Sequence, residues 1–215
     1  MGRWALGGCV LAFAAPLAGQ QPDSADRSAG PVPIEPAGWV KAADFPRAAS
    51  ARGLHGAVRF VLAIDAGGTV YRCDIVRSSG VPALDQQSCA LMLVRGKFRP
   101  ALDRAGAAVP GEWSRRISWG QPGGADVESD YDAIINVRAL PSRKKSASVA
   151  VRELLSADGT REACAVERTS GDADLDQQAC ALVAQVASAP PLKAADATPV
   201  RGMRVRRIGF FVGRQ

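Results

Sequence analysis

Large apolar side chains occupy every second position from residue 58 to residue 64, and Arg, Val, Ala and Asp stand between and after them, so that one face is apolar. This period of two predicts a strand with one apolar face. Residues 65–68 follow with Asp, Ala and two glycines, which tolerate the positive φ of a tight turn. A returning strand is predicted over residues 70–77, and the pattern therefore indicates an antiparallel hairpin. The apolar positions of its first strand are Val58, Phe60, Leu62 and Ile64.

A helical pattern follows the hairpin. Residues 82–95 begin with a proline, and Leu84, Leu91 and Cys89 are expected roughly on the side of the helix that could face the sheet. A last strand is predicted over residues 112–119, and a short helix over residues 47–52 precedes the hairpin. The predicted order is α-β-β-α-β, which describes an antiparallel sheet of two or three strands with a helix packed on one face.

The chain contains an internal repeat. Residues 65–91 and 156–182 align without a gap at a constant offset of 91, and 14 of the 27 aligned residues are identical. Such a repeat indicates two copies of one folding unit. The second copy is therefore predicted to place a helix over residues 174–187 and a last strand over residues 203–212.

The repeat also sets the expected organisation of the chain. The predicted fold class is α+β, with two tandem small units, each an antiparallel two- to three-stranded sheet with a helix on one face. The predicted boundaries are 1–20 for a signal peptide, 21–37 for a Pro-, Ser- and Asp-containing linker, 38–120 for the first unit and 131–215 for a degenerate second unit.

The N-terminal segment predicts export. Arg3 precedes an apolar run of 15 residues from Trp4 to Ala18, which is shorter than the roughly 20 residues of a membrane-spanning helix. This pattern is typical of a secretory signal peptide and predicts a periplasmic protein. A membrane-anchored protein is the alternative. Cys9 stands in a sequence like a lipoprotein box, but apolar residues still follow it.

Four of the five cysteines lie beyond the predicted signal peptide. They form the pairs Cys73/Cys89 and Cys164/Cys180, each separated by 16 residues. The equal spacing predicts one disulfide in each unit and an oxidising compartment. The sequence does not support a metal site, since it contains no Cys-x-x-Cys motif and only one histidine, His55.

The net charge of +6 is compatible with several classes of partner. Anionic lipid, an acidic protein or a well-solvated Arg-rich surface would all fit, whereas no nucleic-acid-binding motif accompanies the charge. Ser78 and Ser79 lie near acidic residues but have no adjacent base that would activate a nucleophile. The sequence therefore predicts no enzyme, no cofactor and no nucleic-acid partner.

Residues 39–119 carry a set of short motifs that resembles the C-terminal domain of TonB-family proteins. The second copy lacks two of these motifs and resembles a degenerate copy of the same domain. The cysteine spacing is similar to that of a periplasmic, disulfide-bearing subgroup. The motifs are Phe45-Pro46, Gly56-x-Val58, Asp65-x-Gly67-Gly68, Ser78-Ser79-Gly80-x-x-x-Leu84-Asp85 and Phe98-Arg99-Pro100.

The resemblance implies a protein that binds a partner in the cell envelope. Family members use this domain to grip a segment of an outer-membrane transporter, and an open sheet edge can hold such a segment by strand addition. Another interpretation is that the charges of the last strand only protect an edge from aggregation. The predicted partner-binding residues on this edge strand are Trp113, Arg115, Ile117 and Trp119.

The expected function is that of a periplasmic interaction module, with a TonB-dependent outer-membrane transporter as a candidate partner. The long spacer and anchor helix of an energy transducer do not appear in the sequence, so we expect binding without transmission of force. The alternative function is a structural envelope protein whose two units pack together or dimerise, and self-association belongs to that alternative.

Overall fold

The computed structural model describes residues 26–120, 130–140, 144–186 and 190–213. The predicted signal peptide lies outside the described residues, as do residues 121–129, which lie between the two predicted units. None of the helices in these four ranges is long and apolar enough to cross a membrane.

Strands and helices alternate in the order that the hydrophobic pattern predicts, with additional short strands. The helices are α1 (Arg47–Ala51), α2 (Pro82–Arg95) and α3 (Ala173–Val186), and the segments Pro36–Gly38 and Ala42–Asp44 form single 3₁₀ turns. The strands of the first half are β1 (Val32–Pro33), β2 (Gly56–Ile64), β3 (Val70–Arg77), β4 (Phe98–Arg99), β5 (Ala101–Leu102), β6 (Ala108–Val109) and β7 (Gly111–Trp119). Those of the second half are β8 (Ala133–Val137), β9 (Ser146–Leu155), β10 (Arg161–Arg168), β11 (Leu192–Lys193), β12 (Pro199–Val200) and β13 (Gly202–Val212).

Seven of these strands form one continuous sheet. Its order is β10-β9-β13-β7-β2-β3, and β8 also pairs with β13. The α+β class is confirmed. The prediction of a separate sheet in each unit is wrong, because strands of both units belong to one sheet. The two halves meet where β7 and β13 pair in parallel, through Gly111 with Met203 and Glu112 with Arg204.

Small residues permit this parallel pairing. A Cβ atom on Gly202 would lie 2.5 Å from the carbonyl oxygen of Pro110, and one on Gly111 would lie 2.6 Å from the side chain of Pro31. Both distances are shorter than nonbonded carbon and oxygen atoms tolerate. Gly202 therefore lets the backbone of β13 approach that of the first half, and Gly111 leaves room for Pro31 beside β7.

The helices α2 and α3 lie on opposite faces of the sheet. Paired residues of neighbouring strands share a face, and side chains alternate along each strand. Trp113 consequently lies on the same face as Gly111 and packs against the core that includes α2. Ile208 lies on the face of Arg204 and packs against the core that includes α3.

Each half has its own hydrophobic core. The predicted apolar face of β2 is fully buried against α2, and the corresponding face of β9 is buried against α3. Both predicted disulfides are present and attach each helix to its hairpin. The Cα–Cα distance is 5.6 Å for Cys73–Cys89 and 5.9 Å for Cys164–Cys180.

Two segments differ from the sequence prediction. Part of the predicted linker lies against the fold, because β1 pairs with β4 and Ala29 forms a bridge with Leu102. At the offset of 91, the strand β8 aligns with residues 42–46 of the first half, which contain a 3₁₀ turn and no strand, and it pairs in parallel with Ile208–Val212 of β13.

Candidate binding site between the two halves

The strands β7 and β13 separate immediately after the two residue pairs that join them. Beyond Glu112, β7 continues against β2, whereas β13 continues against β9 and β8. Trp113, Ser114 and Val205 line a cleft on each face of the sheet at this point. We call the space between residues 113–119 of β7 and the strands β13 and β8 the interstrand gap.

One side of β7 faces this gap. The backbone N–H of Met203 donates to the carbonyl of Pro110 at 2.8 Å, so the backbone groups of even-numbered residues are directed toward β13. Because these groups alternate along a strand, Ser114 and Ser118 direct their N–H and C=O groups into the gap. Among the described residues, no strand pairs with residues 113–119 on this side.

The cleft on the face of α3 has a volume of about 720 Å³ and a charged lining. The Nε of Arg204 donates to the Glu112 carboxylate at 2.6 Å, and Arg72 lies 4.0 Å from the same carboxylate. Arg204 is 7% exposed, and its buried Nη1 has no hydrogen-bond partner in the described part of the chain. This cleft therefore lies over an ion pair that links the two halves.

Asp132 crosses the gap. Its Oδ1 accepts a hydrogen bond of 2.6 Å from Arg59 of β2, and its Oδ2 accepts one of 2.7 Å from the backbone N–H of Arg207 of β13. The side chains of Arg59 and Asp132 are only 11% and 17% exposed. This aspartate thus connects the sheet strands of both halves at a place where they do not pair directly.

The second cleft, on the face of α2, has a volume of about 230 Å³. Three arginines from three different strands line it, together with one acidic residue, Glu167. The arginines are Arg115, Arg168 and Arg207.

The four residues predicted to bind a partner lie on the α2 face of β7. Trp113 packs against Trp39 and Phe98, with ring centroids 6.0 Å and 5.2 Å away. Trp119 is 3% exposed, and its Nε1 donates to the Ser88 hydroxyl at 2.9 Å. Ile117 is partly buried against the same core, and Arg115 is the exposed member of the group.

The sequence predicts an edge strand for these residues, but β7 is not at the edge of the sheet. This strand has β2 on one side along its whole length and β13 on the other side at its beginning. The terminal strands of the sheet are β3 and β10. The partner-binding role of Trp113, Arg115, Ile117 and Trp119 remains a prediction.

The repeated Ser-Gly and Leu-Asp motifs have a structural role. The Asp85 carboxylate accepts hydrogen bonds from both hydroxyls of Ser78 and Ser79, at 2.5 and 2.7 Å, and from the Ser79 N–H at 2.9 Å. Burial acts to raise the pKa of Asp85, but these hydrogen bonds outweigh it and hold the pKa below its usual value. Asp176 is bound in the same way by Thr169 and Ser170.

Sequence reasoning missed the residues that connect the halves. Asp132 lies outside the repeat, so nothing in the repeated pattern pointed to it. Arg204 did carry a signal, because at the offset of 91 it replaces the apolar Trp113. In the described ranges, no three acidic, histidine or cysteine side chains are grouped so that they could hold a metal ion.

Comparison with known proteins identifies one part of the chain. A family model described as the Gram-negative bacterial TonB protein C-terminal matches residues 41–120. Neither the curated proteins nor the solved structures include a match to the chain. Residues 41–120 coincide with α1, the hairpin of β2 and β3, α2 and β7. This part of the chain is therefore a TonB-family C-terminal domain.

Proposed function

We propose that this protein is a periplasmic interaction module that binds an extended segment of an envelope protein by strand addition. A TonB-dependent outer-membrane transporter is the candidate partner. The proposal includes export through the leader at residues 1–20. The single observation that carries it is the open side of β7 beyond Glu112, within the segment that matches the TonB family.

The backbone groups of β7 that face the interstrand gap are suited to strand addition. Ser114 and Ser118 direct backbone donors and acceptors into the interstrand gap, and an unpaired row of such groups is a template for an added strand. A peptide in extended conformation supplies them at regular intervals of about 3.3 Å per residue. The open side, residues 113–119, is long enough for a short recognition segment.

The predicted residues fit this proposal in different ways. Trp113, Ile117 and Trp119 pack against the core and anchor β7 to it. Arg115 is exposed on the same face and would meet a side chain of the added peptide. In this proposal the backbone of β7 provides affinity and Arg115 contributes to selectivity.

A structural role is the second candidate. It is favoured by the parallel pairing of β7 with β13, the Glu112–Arg204 ion pair and the bridge through Asp132. In that case the second half occupies the binding edge of the first half, and the two halves serve only to stabilise each other.

Fluorescence anisotropy with labelled transporter-derived peptides separates the two candidates. We expect saturable binding by the wild type and at least tenfold weaker binding by Ser118→Pro, because proline removes an N–H on the open side of β7. Ser118→Ala is the matched control and should bind like the wild type. Circular dichroism must show that Ser118→Pro remains folded.

A lack of binding to every such peptide would favour the structural role. Equal binding by Ser118→Pro and the wild type would exclude strand addition at β7.

A further inference from the structure

The cleft on the face of α2 contains three guanidinium groups that no described carboxylate pairs with. Arg115, Arg168 and Arg207 form no ion pair or side-chain hydrogen bond with any described residue. Most arginines on the neighbouring strands do have such partners; Arg152, for example, bonds with Ser28 and Glu167. The cleft thus concentrates positive charge that no described side chain neutralises.

The register of the strands places two of these arginines on either side of a small residue. Arg168 of β10 pairs with Ala150 of β9, and Ala150 pairs with Arg207 of β13. The pairing of β10 with β9 is irregular between Val166 and Arg168. Arg168, Ala150 and Arg207 nevertheless line the same cleft, so both arginines lie beside the short side chain of Ala150. Only the methyl group of Ala150 lies between the two arginine side chains. Arg115 of β7 lines the same cleft.

Aromatic rings hold two of the guanidinium groups. The Cζ of Arg115 lies 5.9 Å from the ring centroid of Trp113, and that of Arg207 lies 5.6 Å from the ring centroid of Tyr131. A guanidinium group that contacts a ring through its face keeps its in-plane N–H donors available. The contacts therefore reduce the mobility of the two side chains without using their hydrogen-bonding capacity.

The only acidic residue in the described lining of this cleft is already engaged. Glu167 accepts hydrogen bonds from Arg152 at 3.3 Å and from the backbone N–H of Gly30 at 3.4 Å. It therefore does not neutralise the three arginines. Pro31, Val32 and Pro33 form a further wall of the cleft.

We propose that this cleft binds a phosphate-type oxyanion. Its volume of about 230 Å³ is below the range of roughly 300–1,000 Å³ typical of pockets for drug-sized ligands, which favours a small anionic group. Three guanidinium forks suit a group with several acceptor oxygens and more than one negative charge, and phosphate fulfils both conditions better than a carboxylate. The oxyanion can be a free phosphate or the head group of an anionic phospholipid.

Titration of the full mature chain with inorganic phosphate and pyrophosphate, followed by NMR, tests this site. We expect saturable shifts of the amide signals of Ala150, Arg168 and Arg207. The double variant Arg168→Ala/Arg207→Ala should bind at least tenfold more weakly, because it loses two charge-assisted contacts. The control Arg47→Ala/Arg52→Ala removes the same charge from exposed positions of the first half and should bind like the wild type.

Co-sedimentation with vesicles of phosphatidylglycerol and phosphatidylcholine identifies the source of the oxyanion. Sedimentation that depends on Arg168 and Arg207 indicates the lipid head group, whereas phosphate binding without sedimentation indicates a soluble anion. The absence of saturable shifts with both phosphates, or equal weakening in the control variant, would overturn the proposal. Arginine-dependent binding of an oligoglutamate peptide without binding of phosphate would also overturn it and assign the cleft to an acidic protein segment.

Discussion

At the scale of single residues, the two copies show how a buried polar atom is accommodated. In the first half, Ser88 is fully buried, and its hydroxyl accepts a hydrogen bond from Trp119 and donates one to the Leu84 carbonyl at 2.8 Å. At the offset of 91, the second half has Ala179 and Phe210, which are also buried. Tryptophan carries an N–H that needs an acceptor and phenylalanine does not, so the serine is present only where the tryptophan requires it.

This pairing predicts the outcome of a double-mutant cycle. Ser88→Ala should lower the free energy of unfolding by about 1–3 kcal/mol, because it leaves the Trp119 N–H buried without an acceptor. Adding Ser88→Ala to Trp119→Phe should cost clearly less, since the acceptor is then no longer needed. Urea denaturation of the four proteins measures the coupling, and additive effects would contradict the interpretation.

The Asp85 carboxylate predicts a pH dependence of stability. Its pKa is lower in the folded protein than its ordinary value of 3.8, mainly because the hydrogen bonds from Ser78 and Ser79 outweigh the effect of burial. Such a group contributes stability above its unfolded pKa and loses that contribution as the pH falls through the folded pKa. Asp85→Asn should therefore cost about 1–2 kcal/mol at neutral pH and progressively less as the pH falls through the folded pKa of Asp85.

Thermal unfolding measured from pH 7 down to pH 2 checks this expectation. Asp74→Asn, at a more exposed position on β3, is a suitable control. A difference between wild type and Asp85→Asn that stays constant over the whole range would show that the charge of Asp85 is not responsible.

At the scale of elements, corresponding strands of the two halves bury different kinds of side chain. Leu62 and Val70 are buried among aromatic residues in the first half. Their counterparts Glu153 and Arg161 form an ion pair of 2.5 Å, and Glu153, which has no exposed surface, also binds Arg206 at 2.6 Å. The second half therefore retains the strand order of the first but replaces apolar packing by a buried ionic cluster.

This cluster predicts an asymmetric response to mutation. Glu153→Ala should destabilise the protein by roughly 3–5 kcal/mol, because it leaves two largely buried guanidinium groups without their carboxylate. Glu153→Leu combined with Arg161→Val restores the residues of the first half and should be less destabilising than Glu153→Ala. Chemical denaturation measures both. Glu162→Ala, which removes an exposed partner of Arg201, is the control and should change stability by less than about 1 kcal/mol.

The elements themselves were largely predictable. The bounds of β3 and α2 agree with the predicted 70–77 and 82–95, because a regular apolar period, a glycine turn and a proline at the helix start mark them. The strand β8 was not predicted, since its five residues lie outside the repeat and owe their strand conformation to pairing with β13. Propensity is a weak guide for such a short segment, because its partner lies far away in the sequence.

At the scale of the whole molecule, the halves are joined by more than the parallel strand pair. Ala101 and Val109 of the first half form a small buried cluster with Leu154 and Met203 of the second. Asp132 adds hydrogen bonds to a strand of each half. These contacts indicate that the two halves unfold together.

Asp132→Asn should weaken this connection. The substitution removes the charge that pairs with Arg59, which is only 11% exposed, and we expect a loss of about 1–3 kcal/mol and faster hydrogen exchange at Arg207 and along β8. Asp130→Asn is the matched control, since Asp130 lies 3.8 Å from Arg116 and is more exposed. Calorimetry and hydrogen exchange provide the measurements, and equal effects of the two variants would contradict the bridging role of Asp132.

The amino-acid sequence by itself determined the local units of this protein. The period of two in β2, the glycine turn, the helix that begins at Pro82 and the equal spacing of the cysteines are all local patterns, and each depends on residues close together in the chain. Only the tertiary structure decided that β7 pairs with β13, that α2 and α3 lie on opposite faces of one sheet, and that Arg168 and Arg207 flank Ala150. These features depend on register between distant strands, where a shift of one residue would turn every side chain to the other face.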